Sequence, residues 1–233
     1  MLYLAQHHII QPGTSWWWAG WGILLLQVVI ALQIGKNTTA AGRKRFEQAW
    51  GLVLLLVFVG MNSYRINEGV WNISDSLPLQ MCGMSHLLAI AALLFRQKWA
   101  FLPLLFWGLA GGLHSFLTPE VTLGGDAFFI SEYYVSHASI IAAPLYLIWI
   151  NGQRINRWSW LKALWWNNLI LIPIGLVNVL LGANYMYLST KPLANNPFVM
   201  GDWPWYILGF EFAAVLHYIV LSYLFRNHWA KSS

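Results

Sequence analysis

The chain's one cysteine, Cys82, begins an apolar run in "LPLQMC" (77–82), and His137 of "SHASII" (136–141) sits in another run as the base a thiol needs. A thiol in apolar surroundings holds its proton. A neighbouring imidazole can take that proton and leave a thiolate, the nucleophile of covalent acyl transfer. A third group then orients the imidazole and fixes its tautomer. Tyr133, four residues before His137, shares its helical face, whereas Glu132, five before, is rotated by about 500° and is placed less well. His114 is the alternative base should His137 point away. Stabilising the oxyanion usually contributes most to the rate of acyl transfer, and carboxamide donors for it are on hand in Asn62, Gln80 and Asn184. Arg65, Tyr185, Glu132 and Glu211 complete the polar residues placed to bind substrate. A single cysteine excludes an internal disulfide, and no H-E-x-x-H or comparable spacing supports a metal. Neither metal nor soluble cofactor is expected.

These groups need elements to hold them, and composition says what those are. Of 233 residues 58% are hydrophobic and only 9% charged, against about a quarter charged in soluble domains. Such a chain cannot clothe a water-facing surface, so the bilayer is its solvent. Seven apolar stretches have about the length that a ~30 Å hydrocarbon core requires: 16–34, 46–62, 77–95, 99–117, 131–150, 164–183 and 203–224. The expectation is an all-α polytopic bundle of seven transmembrane helices forming one domain over 1–233, without repeats, long linkers or an evident signal peptide.

Basic residues set the expected orientation. Eleven of the 13 Lys and Arg fall around Lys36–Arg45, Arg96–Lys98, Arg154–Lys162 and the tail with Arg226 and Lys231. Only Arg65 and Lys191 lie on the other side, where Glu68, Asp75, Glu120, Asp126 and Asp202 gather. The N-terminus is therefore read as outside and the C-terminus as cytoplasmic, in the plasma or inner membrane. The net charge of +5 is then the positive-inside signature, and nucleic acid is not a partner. Tryptophans in "WWWAGW" (16–21), "WSWLKALWW" (158–166) and "WPW" (203–205) fall at span ends, where indoles anchor to the interface.

Depth follows from the rise of about 1.5 Å per residue, which puts Cys82 roughly 8 Å, His137 roughly 9 Å and Glu211 about 12 Å below the outer ends of their spans. Several helices thus contribute to one outer polar layer, with the loops 118–130 and 184–202 expected to fold over it. His86 and His217 lie deeper and are set apart from this layer. Glu211 and His217, six residues apart, are not expected to share a face. His7, His8 and His228 flank the bundle. Each polar residue also has a plain reading: a lone cysteine as small core filler, histidines as hydrogen-bonded packing, or a polar layer lining a transport path.

Four blocks, "LPLQMC" (77–82), "GLHSFLTPE" (112–120), "SHASIIAAPLYL" (136–147) and "NYMYLSTKP" (184–192), resemble the YwaF family of bacterial integral membrane proteins. They span about half the chain, in the family's order. The family is similar to a mammalian transmembrane acyltransferase that places polyunsaturated chains on ether phospholipids. The resemblance implies a cysteine and a histidine in function, at Cys82 and His137. It departs at Gln80 and Gly83, where the family often carries histidine and aspartate, and so leaves more to His137 and the polar layer.

The expected function is a membrane acyltransferase or transacylase. It takes an acyl chain from a phospholipid or glycolipid through a Cys82 thioester and delivers it to a lysolipid or other hydroxyl. A lipid hydrolase would use the same site with water as acceptor. The alternative from another class is a carrier or channel for a small polar solute or proton. It requires a polar path onward through His86, Asn178 and His217, and is favoured by a helix break near Pro173–Gly175. A receptor or assembly partner is suggested only by the count of seven.

Overall fold

Two threonines start the first two helices. Thr14 Oγ1 accepts from Trp17 N at 3.4 Å and Thr39 Oγ1 from Gly42 N at 3.2 Å, each satisfying an amide that the first turn leaves orphaned. In the computed structural model, which describes residues 8–192 and 199–228, the helices are α1 Ser15–Lys36, α2 Ala40–Asn67, α3 Met81–Leu93, α4 Lys98–Leu117, α5 Ala127–Trp149, α6 Ser159–Leu181 and α7 Trp205–Leu224. His7, Lys231 and residues 193–197 lie outside the described residues. A short antiparallel ribbon, β1 (His8–Ile9) with β2 (Glu120–Val121), ties the N-terminal segment to the loop after α4.

The chain is an all-α membrane bundle. Helices α1, α2, α4, α6 and α7 are long and apolar enough to cross a bilayer. Helix α5 has 23 residues but carries Glu132, His137 and several hydroxyls. The apolar stretch 77–95 is helical only over Met81–Leu93, 13 residues, or about 20 Å against the ~30 Å of the hydrocarbon core. Its two ends explain this. The entry is a turn at Pro78, with Leu79 N on Leu77 O at 2.8 Å and Gln80 extended before the first helical residue, and Arg96, at φ 55°, breaks the exit. Helix α2 instead outruns its apolar stretch at both ends, because charge limits a membrane span without stopping a helix.

α5 is the central strut. It packs along α1 and also against α3 and α4, while α2 covers α3 and α6 pairs with α7. α4 is the most enclosed of the membrane-length helices. It departs from regular winding at Leu104–Gly108, a π segment immediately after Pro103, where the missing proline N–H loosens the ladder. Gly108 there meets the backbone of α5: a Cβ would lie 2.4 Å from Ile140 O. Only glycine permits that approach.

At the basic end a buried carboxylate, one that residue type and spacing do not single out, joins three elements. Glu47 of α2 is 1% exposed. It accepts from Tyr146 Oη at 3.3 Å and Asn151 Nδ2 at 2.9 Å, and pairs with Arg96 Nε at 3.4 Å. Glu47→Leu is expected to cost about 1–3 kcal/mol by leaving the Tyr146 and Asn151 donors unsatisfied, read as a lower thermal midpoint in detergent, while Glu47→Gln retains an acceptor and loses less.

Candidate functional site

Cys82 is the second residue of α3, and the helix N-terminus is bare. The first intrahelical bond runs from Met84 N to Gln80 O at 2.9 Å, so the amides of Met81, Cys82 and Gly83 precede it, and Gln80 makes no side-chain cap. Those amides carry the positive end of the helix dipole. The thiol faces α4. Its Sγ lies 3.5 Å from Ser115 Oγ. Ser115 donates its own proton to Gly111 O at 3.1 Å, so the thiol is the donor to Ser115 Oγ.

His137 of α5 lines the same cavity as Cys82, a space of about 870 Å³, within the range of small-molecule sites. Its Nδ1 is 2.7 Å from Tyr133 O. A carbonyl only accepts, so Nδ1 carries the proton and Nε2 keeps its lone pair. The orienting partner is thus the Tyr133 carbonyl, not its phenol: the phenol donates to Ser115 O at 3.0 Å while the ring stacks on the imidazole at 4.1 Å between centroids. Tyr133 therefore bridges the helix behind the thiol and the histidine. Glu132 accepts from Ser136 Oγ at 2.6 Å and acts on the His137 ring through space.

The carboxamides expected to donate to an oxyanion each tie down a neighbouring segment. Gln80 grips the 184–187 turn with both ends, Nε2 to Asn184 O at 3.3 Å and Oε1 from Met186 N at 2.8 Å. Asn184 closes on its own loop, accepting from Ser189 N and Thr190 N and donating to Thr190. Asn62 spans Phe58 O and the Trp71 indole. All three side chains border the cavity, and the amide groups of Gln80 and Asn62 each carry a second N–H besides the one so used. Tyr185 does not border it. Fully buried, its hydroxyl donates to Ile73 O at 2.7 Å and accepts from Leu77 N at 3.0 Å, latching the loop that leads into α3. The uncapped amides of α3, which side-chain types do not reveal, belong to the same helix turn as the sulfur.

His86 and His217, set apart by depth in the sequence, both line the cavity, as do His114 and Glu211. His114 Nε2 and His217 Nε2 are 3.3 Å apart. His217 stands twelve residues from the start of α7 and His114 only three from the end of α4, which sets that end of α4 back from the start of α7 on the order of 14 Å along the axis. Depths measured from a common surface therefore misplace the layer. Glu211 and His217 share one cavity-facing stripe with Ile207, Phe210, Ala213, Ala214 and Tyr218, a face about 160° wide.

At the end away from the basic loops the cavity is bordered by Arg65, residues 74–78, Thr118, residues 120–123 and Tyr187. Arg65 donates to Thr122 Oγ1 at 3.4 Å and is, among the described residues, the one Lys or Arg in the lining. At the other end the lining stops at His86, Ile140, Asn167 and Tyr218, and no described residue of the basic-end loops borders it. Helix α6 runs unbroken through Pro173, and Asn178, expected as a stepping stone, instead holds Tyr185 N and O at its far end. No group of three or more His, Cys, Asp or Glu among the described residues is arranged to hold a metal ion.

Comparison with known proteins finds no curated protein and no solved structure that matches. Residues 4–222 match the model of the TMEM164 family, whose members are transmembrane proteins. The chain belongs to the TMEM164 family and is an integral, multi-pass membrane protein.

Proposed function

We propose that this chain is a seven-span acyltransferase or transacylase of the cell (plasma or inner) membrane, acting on lipid esters through a thioester on Cys82. The observation that carries this reading is that the lining of one cavity holds both a thiol at an uncapped helix N-terminus and an imidazole whose Nε2 is the basic nitrogen. The YwaF-like blocks supply these residues, and their likeness to an ether-phospholipid acyltransferase supports the same chemistry. The excess of Lys and Arg at the far end supports a cavity open toward the outer leaflet, with the N-terminus outside and the C-terminus cytoplasmic.

In this scheme a phospholipid enters with its phosphate at Arg65 and its chains along Phe58, Met61, Ile140, Leu171 and Phe210. His137 Nε2 takes the thiol proton, and the sulfur attacks the ester carbonyl. The developing oxyanion meets the α3 amides, which need no reorganisation to receive it. The C–O bond breaks, the proton passes from His137 to the departing lysolipid oxygen, and the acyl chain stays on Cys82. An acceptor hydroxyl then takes the chain from sulfur in a ping-pong cycle. The carbonyl of Tyr133 steadies the imidazolium throughout.

The test is lipid mass spectrometry on proteoliposomes holding the purified chain, a phospholipid with a deuterated acyl chain, and an unlabelled lysophospholipid. Label on the lysophospholipid is expected. Label found only as free fatty acid would make the chain a hydrolase, and no label movement at all would overturn the enzyme reading.

A further inference from the structure

Helix α4 shows the cavity two different stripes. Gly111 and Ser115 face Cys82: a Cβ on Gly111 would lie 3.6 Å from the sulfur, and Ser115 Oγ lies 3.5 Å from it. His114, one residue before Ser115, meets His217 of α7, and Ala110, a turn earlier, also lines the cavity. The thiol and His137 thus occupy one wall, formed by α3, α4 and α5. A second polar wall, formed by α4, α6 and α7, has no part in forming the thioester.

That second wall has hydrogen-bonding capacity to fill. Asn167, 4% exposed, and Tyr218, 1% exposed, both line the cavity. Asn167 Oδ1 and Tyr218 Oη have no hydrogen-bond partner among the described residues. Buried polar atoms are nearly always paired, so two orphans in one cavity wall mark a place for a polar ligand. Glu211 belongs to the same wall and is already held, accepting from Asn167 Nδ2 at 3.5 Å and Asn168 Nδ2 at 3.1 Å. An acceptor oxygen, a phenol and a carboxylate together suit a ligand that bears hydroxyl groups.

The same wall has a directed proton path. His217 Nδ1 lies 2.6 Å from Ala213 O, and since a carbonyl only accepts, the His217 proton is on Nδ1 and its Nε2 is an acceptor. The 3.3 Å contact between the two Nε2 atoms is then a bond donated by His114. His114 is therefore the Nε2–H tautomer, and its Nδ1 is the basic nitrogen.

We infer that the α4–α6–α7 wall is the binding site for the hydroxyl-bearing acyl acceptor, a lysophospholipid, with His114 as its base and His217 as the residue that positions and relays. The inference rests on the acyl-transfer reading and divides it into two half-reactions served by different imidazoles. In the second half-reaction the acceptor oxygen attacks the thioester carbonyl. A C–O bond forms and the C–S bond breaks. The hydroxyl proton goes to His114 Nδ1 as the Nε2 proton moves to His217, and the pair returns one proton to the leaving sulfur. Nothing is gained or lost over the cycle.

The experiment separates the halves by single turnover. The full-length protein in proteoliposomes is acylated with a defined phospholipid, 1-acyl lysophosphatidylcholine is then added, and the acyl adduct is followed by intact mass. His114→Gln and His217→Gln are expected to form the adduct yet lose it to the lysophospholipid on the order of 10²-fold more slowly than wild type. Hydroxylamine, which needs no base, should clear the adduct from wild type and both variants at one rate, and His137→Gln should slow adduct formation itself. Tyr218→Phe should raise the lysophospholipid concentration needed for half-maximal discharge. Discharge at the wild-type rate in both histidine variants would overturn the inference, as would equal slowing of both halves. Absence of any adduct on wild type would instead remove the acyl-transfer reading on which it stands.

Discussion

Cys82→Ala is expected to bring acyl transfer down to background, a fall of about 10³-fold or more, as removal of a nucleophile does elsewhere. The loss should be chemical and not structural. Cys82 is only partly buried, and its neighbours across the gap are the bare Gly111 and the Ser115 hydroxyl, so truncation removes one sulfur and opens no large void. The thermal midpoint should stay close to wild type. Cys82→Ser keeps the contact with Ser115 but offers an alcohol in place of a thiol, and is expected to fall nearly as far. Transfer surviving undiminished in Cys82→Ala would eliminate the covalent scheme.

The second large effect is at His137. His137→Gln should slow acylation of Cys82 by about 10²- to 10⁴-fold, the usual worth of a positioned general base. The comparison with Tyr133→Phe is informative, because the phenol and the carbonyl of Tyr133 do different work. The carbonyl holds His137 Nδ1 and is untouched by the substitution, and the ring can still stack. Only the bond from Tyr133 Oη to Ser115 O is lost. That is one neutral hydrogen bond, worth about 0.5–1.5 kcal/mol, or at most about tenfold in rate. A Tyr133→Phe effect as large as that of His137→Gln would mean that the phenol itself takes part in the reaction.

The apolar runs are legible because the bilayer leaves so few charges free to interrupt them. All seven correspond to helices, with ends displaced by a few residues. That Cys82 and His137 border one cavity is legible too, since each is a reactive group in an apolar run and neither has a partner of its own type nearby in sequence. Depth and commitment are not. Depth counted along one helix assumes that all helices start at the same surface. α3 has 13 residues and α2 has 28, and the recessed end of α4 brings His114 to the level of His217. The bonds made by the carboxamides of Asn62, Gln80 and Asn184 are not legible in sequence because most of their partners are backbone atoms of loops whose course no periodicity reveals. Ser115 and the uncapped amides of α3 escape notice for a related reason: serine is common beside glycine in membrane helices, and an orphan amide leaves no mark in residue type. The stretch "GLHSF" does hold a signal, a histidine and a serine back to back on a helix, which forces them to face different neighbours.

The thioester itself is the most direct object of measurement. After incubation with a phospholipid of known acyl chain, peptide mass spectrometry of the wild-type protein should find that acyl mass on the peptide carrying Cys82, removed by neutral hydroxylamine and absent from Cys82→Ala. Robust label transfer between lipids with Cys82 never acylated, even in His114→Gln where the adduct should accumulate, would contradict a covalent mechanism at this cysteine.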